Sequence, residues 1–201
     1  MPRNLVVRAI AFLALLLIVA VVVFAYTPWG RSVWQGDLTQ KAGAVAIGGP
    51  FKLTDQNGKL RTDADFRGQY MLVFFGYTNC PDVCPTTLQT LTDAVTALGA
   101  KAAKVTPIFI TVDPERDTAK ALKDYAANFT PRLVTLTGSG ADIAAVAKEY
   151  RVYYAKAGAG PNYAMDHTAL IYLMGPDGAY VTHYTPDQTA DDIAKDLGKR
   201  V

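Results

Sequence analysis

The sequence contains few of the residues that bind metals or form disulfides: its 201 residues include two cysteines and two histidines. A closed structural zinc site usually has four ligands, so in this chain it would need both cysteines and both histidines. Three residues separate Cys80 from Cys84, whereas a thiol oxidoreductase of the usual kind has two residues between its cysteines. The sequence therefore raises the question of whether these thiols form a redox pair, a metal site or both.

The chain also lacks an excess of charge beyond its N-terminus. All 18 acidic residues follow residue 26, and so do 18 of the 20 Lys and Arg, because only Arg3 and Arg8 come earlier. The part after residue 26 is therefore formally neutral. A nucleic-acid interface would need clustered basic charge, so we expect no nucleic-acid partner.

Residues 9–25 lack any polar side chain and read AIAFLALLLIVAVVVFA. With the apolar residues on either side, this run is long enough to span the core of a bilayer. Arg3 and Arg8 precede it and no acidic residue does, which predicts a cytoplasmic N-terminus by the positive-inside bias. We therefore predict that residues 1–26 form a cytoplasmic N-terminus and a transmembrane helix.

A cleavable signal peptide is the alternative for the same segment. Its apolar region is normally about 7–15 residues long and ends in small residues. The run here is longer and ends at Phe24, Ala25 and Tyr26, so we favour a retained, single-pass anchor. A mitochondrial presequence, rich in Arg and Ser before any span, is absent. These features predict a protein of the bacterial inner membrane whose C-terminal domain lies in the periplasm.

The remainder of the chain reads as a linker, 27–44, followed by one domain, 45–201. We expect a hairpin around Asn57-Gly58, because this dipeptide is a strong turn signal between short strands. Further strands are expected at 70–75, 105–112, 133–136, 168–174 and 179–184, and helices near 88–98, 117–129, 141–150 and 188–197. Alternating strands and helices predict an α/β domain with a central mixed sheet flanked by helices.

Both cysteines follow the apolar strand predicted at 70–75, at the turn into a helix. Pro85 fits the first turn of a helix, so we expect the helix to begin around Cys84. The partial positive charge of a helix N-terminus would then lower the pKa of the thiols. A turn over 80–84 would bring them within about 5–6 Å, which suits a disulfide or a shared metal. A static disulfide is the less favoured interpretation, because so short a loop gains little stability from cross-linking.

The two histidines stand in different settings. His183 lies in the strand-like stretch VTHYT and reads as an ordinary strand residue. His167 follows the glycine-containing stretch GAGPNYAMD and precedes the apolar TALIYLM, so a loop could carry its ring to the cysteines. Two thiolates and one imidazole would hold Cu(I) and tolerate Cu(II). From the residues alone, a core histidine remains an equal alternative, and Asp166 is either a ring-orienting partner or a turn residue.

The segment TVDPERDT, residues 111–118, ends one predicted strand and begins a helix. Asp113 and Asp117 suit turn and cap positions there. Their place at a strand end also puts them at the same edge of the sheet as the cysteines. A supporting or docking role is therefore the alternative.

Three stretches together give the sequence a family resemblance: GYTNCPDVCP at 76–85, VDPERDT at 112–118 and DHT at 166–168. The order and spacing of these stretches, together with the predicted N-terminal anchor, resemble those of the Sco/SenC family of copper chaperones. The family is named for synthesis of cytochrome c oxidase. The likeness extends over about residues 45–198.

The resemblance implies a thioredoxin-like domain in which Cys80, Cys84 and His167 bind one copper ion, as Cu(I) or Cu(II). It further implies delivery of copper to the dinuclear site of cytochrome c oxidase subunit II. Some members of the family it resembles are thought to act as thiol–disulfide reductases that keep the receiving cysteines reduced. Another periplasmic copper chaperone or thiol reductase would then be a further partner, and no catalytic turnover is required.

Two related enzyme classes fit the sequence less well. A thioredoxin-like oxidoreductase would have two residues between its cysteines and a cis-proline near the position of His167. A peroxiredoxin would have Thr and Pro where this chain has Tyr77 and Val73. A scaffold with a static disulfide would have no need of His167.

Overall fold

The computed structural model of the chain describes residues 12–19, 22–24, 46–129 and 132–201. Residues 12–19 and 22–24 are helical, and no helix among the described residues is long and apolar enough to cross a membrane. Most of the predicted anchor, 1–26, and all of the predicted linker, 27–44, lie outside the described residues. Residues Ala46–Val201 form one compact unit.

The described residues of this unit form nine strands and four α-helices. The strands are β1 (Lys52–Asp55), β2 (Leu60–Thr62), β3 (Tyr70–Gly76), β4 (Val105–Thr111), β5 (Val134–Thr137), β6 (Tyr154–Ala157), β7 (Ala164–His167), β8 (Ile171–Met174) and β9 (Tyr180–Tyr184). The helices are α1 (Val83–Ala97), α2 (Ala119–Ala126), α3 (Gly140–Glu149) and α4 (Ala190–Gly198). Short 3₁₀ helices cover Asp63–Phe66 and Gly99–Lys104.

Seven of the strands form one mixed sheet in the order β2-β1-β5-β4-β3-β8-β9. The pairs β3–β4 and β4–β5 are parallel and the other neighbours are antiparallel, which confirms the predicted mixed sheet. Every residue of β3 after Tyr70 is buried, as its uninterrupted apolar sequence predicts for a central strand. Pro107 lies in β4 one residue before the pairing with β5 begins, so its missing N–H interrupts no bond to β5.

The helices pack against this sheet and bury its apolar side chains. α1 contacts β3 and β4, α2 contacts β5, and α3 contacts β1, while α4 packs against α1. The hairpin predicted around Asn57-Gly58 is present between β1 and β2. Asp55 Oδ1 accepts hydrogen bonds from the amides of Asn57 and Lys59, and Gly58 takes the left-handed conformation (φ 77°).

The structure corrects the prediction around His167. Instead of a loop followed by a strand at 168–174, the chain forms an antiparallel hairpin, β6–β7 (residues 154–167), that is separate from the large sheet. His167 is the last residue of β7, and β8 begins only at Ile171. Each strand has only four residues and carries polar side chains, so neither shows a clear apolar alternation in the sequence. The glycines between them therefore read as part of a loop. Gly158 and Gly160 make the turn with left-handed φ angles of 94° and 81°.

The helix predicted at 117–129 is also shorter than expected. α2 covers Ala119–Ala126, and its N-cap is Thr118, whose side chain accepts a hydrogen bond from the Ala121 amide. Asp117 lies outside the helix and is fully buried. The cap role considered for Asp117 is therefore wrong, and its side chain is free for the contacts described below.

Candidate metal centre

The two cysteines lie where β3 passes into α1. Cys80 is in the connecting loop and is half-buried, whereas Cys84 is in the first turn of α1 and is fully buried. Both are free thiols. The backbone amide of Cys84 donates a hydrogen bond to Cys80 Sγ over 3.4 Å, so the loop already turns the two residues toward each other.

His167 meets this pair from the end of the β6–β7 hairpin. Its Nε2 lies 3.5 Å from Cys84 Sγ, although 83 positions separate the residues in sequence. On the other side of the ring, Nδ1 lies 3.1 Å from the carbonyl oxygen of Thr168. Because a carbonyl can only accept, Nδ1 carries the proton and the lone pair of Nε2 faces Cys84. Burial lowers the pKa of His167, which further favours the neutral ring.

Aromatic side chains enclose the imidazole. Phe74 and Tyr77 approach it edge-on, with ring centroids 6.1 Å and 6.0 Å from that of His167. Asp166 is exposed, and the group that orients the His167 ring is the Thr168 carbonyl. His183 lies on β9, where its side chain is exposed and Nδ1 is 2.6 Å from the Tyr180 hydroxyl.

The structure reverses the expected effect of α1 on Cys84. Position at a helix N-terminus predicts a lowered thiol pKa, but burial raises the pKa of Cys84 well above its ordinary value. Desolvation outweighs the effect of the helix because the Cys84 side chain is fully buried in the core against Gly76. Without metal, Cys84 is therefore a neutral thiol that can donate a hydrogen bond to His167 Nε2.

The donor atoms suit a soft metal, although they are not yet arranged around one. Within residues 12–19, 22–24, 46–129 and 132–201, no three Cys, His, Asp or Glu side chains already form a metal-ligand set. Cys84 and His167 are in contact, and Cys80 Sγ instead accepts from a backbone amide. A three-ligand site would thus need a local rearrangement, and the half-buried Cys80 lies in a loop that can provide it.

Asp117 holds the cysteine loop in place. Its carboxylate accepts hydrogen bonds from the Thr78 amide (3.0 Å), the Thr78 hydroxyl (2.5 Å) and the Thr111 hydroxyl (2.6 Å). Burial raises the pKa of this carboxyl despite the opposing effect of these bonds. The supporting role considered for Asp117 thus has a structural basis, because Asp117 binds Thr78, which lies two positions before Cys80. Sequence analysis did not identify Thr78, although it lies in the same stretch as the cysteines.

Gly76 leaves the space that Cys84 occupies. A Cβ atom at this position would lie 2.8 Å from Cys84 Sγ and 2.9 Å from Phe109 Cε2. Gly76→Ala is therefore expected to lower the free energy of unfolding by about 1–3 kcal/mol, as overpacking a filled core does. Urea unfolding of the full chain measures this. Gly140→Ala is the matched control, because a Cβ there meets nothing within 4 Å; equal stability of the two variants would contradict the tight packing.

Comparison with known proteins places these residues in a family context. A family model described as SCO1/SenC matches residues 39–201. Protein SCO2 homolog, mitochondrial, of Bos taurus is 43% identical over 175 residues, which is 83% of this chain and 65% of that protein. The chain spans about half to two-thirds of the length of such curated mammalian relatives.

Solved structures resemble the chain in fold as well. The copper-bound structure of Bradyrhizobium japonicum ScoI is 50% identical with a TM-score of 0.73, covering 78% of this chain and 100% of that one. BsSco, described as a member of the Sco family of cytochrome c oxidase assembly proteins with a disulfide switch, is 31% identical. Its TM-score is 0.62, and the match covers 76% of this chain and 92% of BsSco. The thioredoxin-like fold with a central mixed sheet is thus shared with these proteins.

Proposed function

Because the chain belongs to the SCO1/SenC family, we propose that it is a copper chaperone whose Cys80, Cys84 and His167 bind one copper ion. Its target is the dinuclear copper site of cytochrome c oxidase subunit II. The observation that carries the proposal is the 3.5 Å contact between Cys84 Sγ and His167 Nε2, with Cys80 Sγ held at the Cys84 amide. The copper-bound relative from Bradyrhizobium japonicum supports the choice of metal.

The chemistry of the donor atoms favours copper over other metals. Thiolate ligands select Cu(I) and zinc, and imidazole suits copper in either oxidation state. A structural zinc site would be closed by a fourth protein ligand. With two sulfurs and one nitrogen, one position stays open to a ligand from a partner.

Release would proceed by ligand exchange. Each thiol loses its proton when it binds copper and regains one when a thiol of the partner takes its place. Cys80 is half-buried whereas Cys84 is fully buried, so Cys80 would be displaced first. The copper ion keeps its oxidation state throughout, and no electron leaves the chain.

Thiol–disulfide reduction of the same partner is the second candidate, favoured by the free state of both cysteines. Cys80, as the accessible sulfur, would attack a disulfide in subunit II as a thiolate and form a mixed disulfide. Cys84 would then attack Cys80, which releases the partner as a dithiol and leaves a Cys80–Cys84 disulfide. Two electrons pass to the partner, and a periplasmic thiol reductase would restore the pair.

The anchor is part of the same proposal. Residues 1–26 would hold the chain in the bacterial inner membrane by a single helix, with the domain on the periplasmic side. The apolar run at 9–25 and the position of Arg3 and Arg8 before it support this orientation. Such an anchor would keep the domain close to a membrane-bound oxidase.

Two mixing experiments separate the candidate functions. The copper-loaded, reduced chain is mixed with the reduced soluble domain of subunit II, and the copper-free reduced chain with the disulfide form of that domain. A chaperone transfers copper in the first mixture without a change in total thiols. A reductase reduces the disulfide of the partner in the second mixture and acquires a Cys80–Cys84 disulfide, without copper. If no copper is transferred and the disulfide stays intact, both functions are wrong.

A further inference from the structure

Three side chains outside the proposed ligand set tie the β6–β7 hairpin to the segment that follows β4; we call Asp113, Arg116 and Tyr163 the clamp. Arg116 forms an ion pair with Asp113, whose side chain is 2% exposed. The Arg116 guanidinium also donates to the carbonyl oxygen of Tyr163 (2.9 Å) and stacks on the Tyr163 ring at 3.7 Å. The Tyr163 hydroxyl donates to Asp113 Oδ1 over 2.7 Å, which closes the set.

A second cation links the same parts of the chain. Lys156, on β6, forms an ion pair with Glu115 (2.7 Å), and its Nζ lies 4.5 Å from the centre of the Tyr163 ring. Strand β6 and the residue directly before β7 are thus both joined to residues 113–116. Because Lys156 and Glu115 are both exposed, this pair adds less than the Arg116–Asp113 pair, whose carboxylate is buried.

Side-chain contacts, among them the clamp and the buried Met165 of β7, hold the hairpin that ends at His167. In the described part of the chain, β6 and β7 pair only with each other. Tyr163 directly precedes β7, and His167 ends it. Arg116 also lies 5.7 Å from the centre of the Tyr77 ring, which approaches His167 edge-on. One guanidinium therefore contacts the start of the strand that carries His167 and a ring that packs against the imidazole.

We propose that Arg116 is a positioning residue: through the clamp it holds the hairpin so that His167 Nε2 faces Cys84 Sγ. The proposal rests on the proposed function in taking His167 as a copper ligand. The cysteine loop has a different support, Asp117, which binds Thr78. Removal of Arg116 should therefore disturb the histidine side of the site and leave the cysteine side intact.

Hydrogen exchange on the copper-free, reduced full chain tests the clamp without any metal. In Arg116→Ala, amides of residues 154–167 are expected to exchange at least about tenfold faster, because the hairpin opens locally. Amides of residues 77–97 should be unchanged. Tyr163→Phe, which loses only the hydroxyl bond to Asp113 and keeps the stacked ring, should give a smaller increase. Wild-type exchange of the hairpin in Arg116→Ala would overturn the proposal.

Arg200→Ala is the matched control. Arg200 pairs with Asp196 on α4 (2.9 Å), and Asp196 accepts from the Tyr184 hydroxyl of β9 (2.8 Å), so the same three residue types are joined outside the β6–β7 hairpin. This variant loses an Arg–Asp pair of similar chemistry. It should leave exchange in residues 154–167 at the wild-type rate. A similar acceleration in both variants would mean general destabilisation and would overturn the clamp.

A copper measurement tests the positioning role and separates it from the ligand assignment. In Arg116→Ala, Cu(II) affinity is expected to fall by about 10–100-fold, as for loss of an orienting residue, and the Cu(II) spectrum should shift toward that of His167→Ala. Cu(I) affinity and the potential of the cysteine pair should stay unchanged. An unaltered Cu(II) spectrum in Arg116→Ala would overturn the positioning role. Identical spectra for wild type and His167→Ala would instead contradict the proposed function.

Discussion

Replacing Cys84 with serine is expected to weaken Cu(I) binding by at least about 100-fold. Structural zinc sites with four ligands bind their metal with about 10–16 kcal/mol in total, so one ligand accounts for about 3 kcal/mol, and we expect a similar contribution of a thiolate to Cu(I) binding. A hydroxyl is a poor substitute, because Cu(I) prefers soft sulfur. Competition with a chromophoric Cu(I) chelator, on the reduced full-length chain in detergent, measures the loss.

Cys80→Ser is the control that separates the loss of a copper ligand from a loss of stability. Cys84 is fully buried, so serine there also introduces a hydroxyl into the core, whereas Cys80 is half-buried in a loop. Both variants should lose a similar amount of Cu(I) affinity, while only Cys84→Ser should lower the midpoint of urea unfolding. Wild-type Cu(I) affinity in both variants would exclude the cysteines as ligands.

His167→Ala is expected to weaken Cu(II) binding by about 100-fold but Cu(I) binding by less than about tenfold. The difference arises because two thiolates dominate the binding of Cu(I), whereas Cu(II) relies more on the imidazole nitrogen. The Nε2 lone pair already faces Cys84 Sγ, so the loss of the ring removes a donor that is in place before metal binds. Affinity measurements in both oxidation states of copper test this.

The other histidine provides the control for this pair of measurements. His183 is exposed on β9 and contacts Tyr180. His183→Ala should leave the affinity for Cu(I) and Cu(II) at the wild-type value. Equal losses for both oxidation states in His167→Ala would contradict the assigned role of the imidazole.

The cysteine side of the site was predictable because its signals are local. The apolar run of β3, the proline at position 85 and the leucine spacing that follows predict a strand, a turn and a helix within a short stretch. The structure confirms this order, with α1 beginning at Val83. The burial of Cys84 was not predictable in the same way, because it depends on how closely α1 packs against Gly76 at the end of β3.

The histidine side depends on contacts between distant parts of the sequence. Residues 154–157 and 164–167 are too short and too polar to give a clear strand pattern, so the hairpin was missed. The residues alone left a metal ligand and a core histidine as equal alternatives for His167, and the resemblance to a known family favoured the ligand. Arg116 was overlooked because its partner Tyr163 is 47 positions away, and nothing in either local stretch indicates that they stack.

The most direct test is to count the copper ions bound by the full-length chain with Cys80 and Cys84 reduced, and again after their oxidation to a disulfide. If the two sulfurs and His167 form the site, the reduced chain binds one copper ion tightly and the oxidised chain binds none, because a disulfide offers no thiolate. Tight binding by both forms would place the metal elsewhere. Binding by neither form, with a disulfide that is readily reduced, would leave thiol–disulfide reduction as the function of the pair.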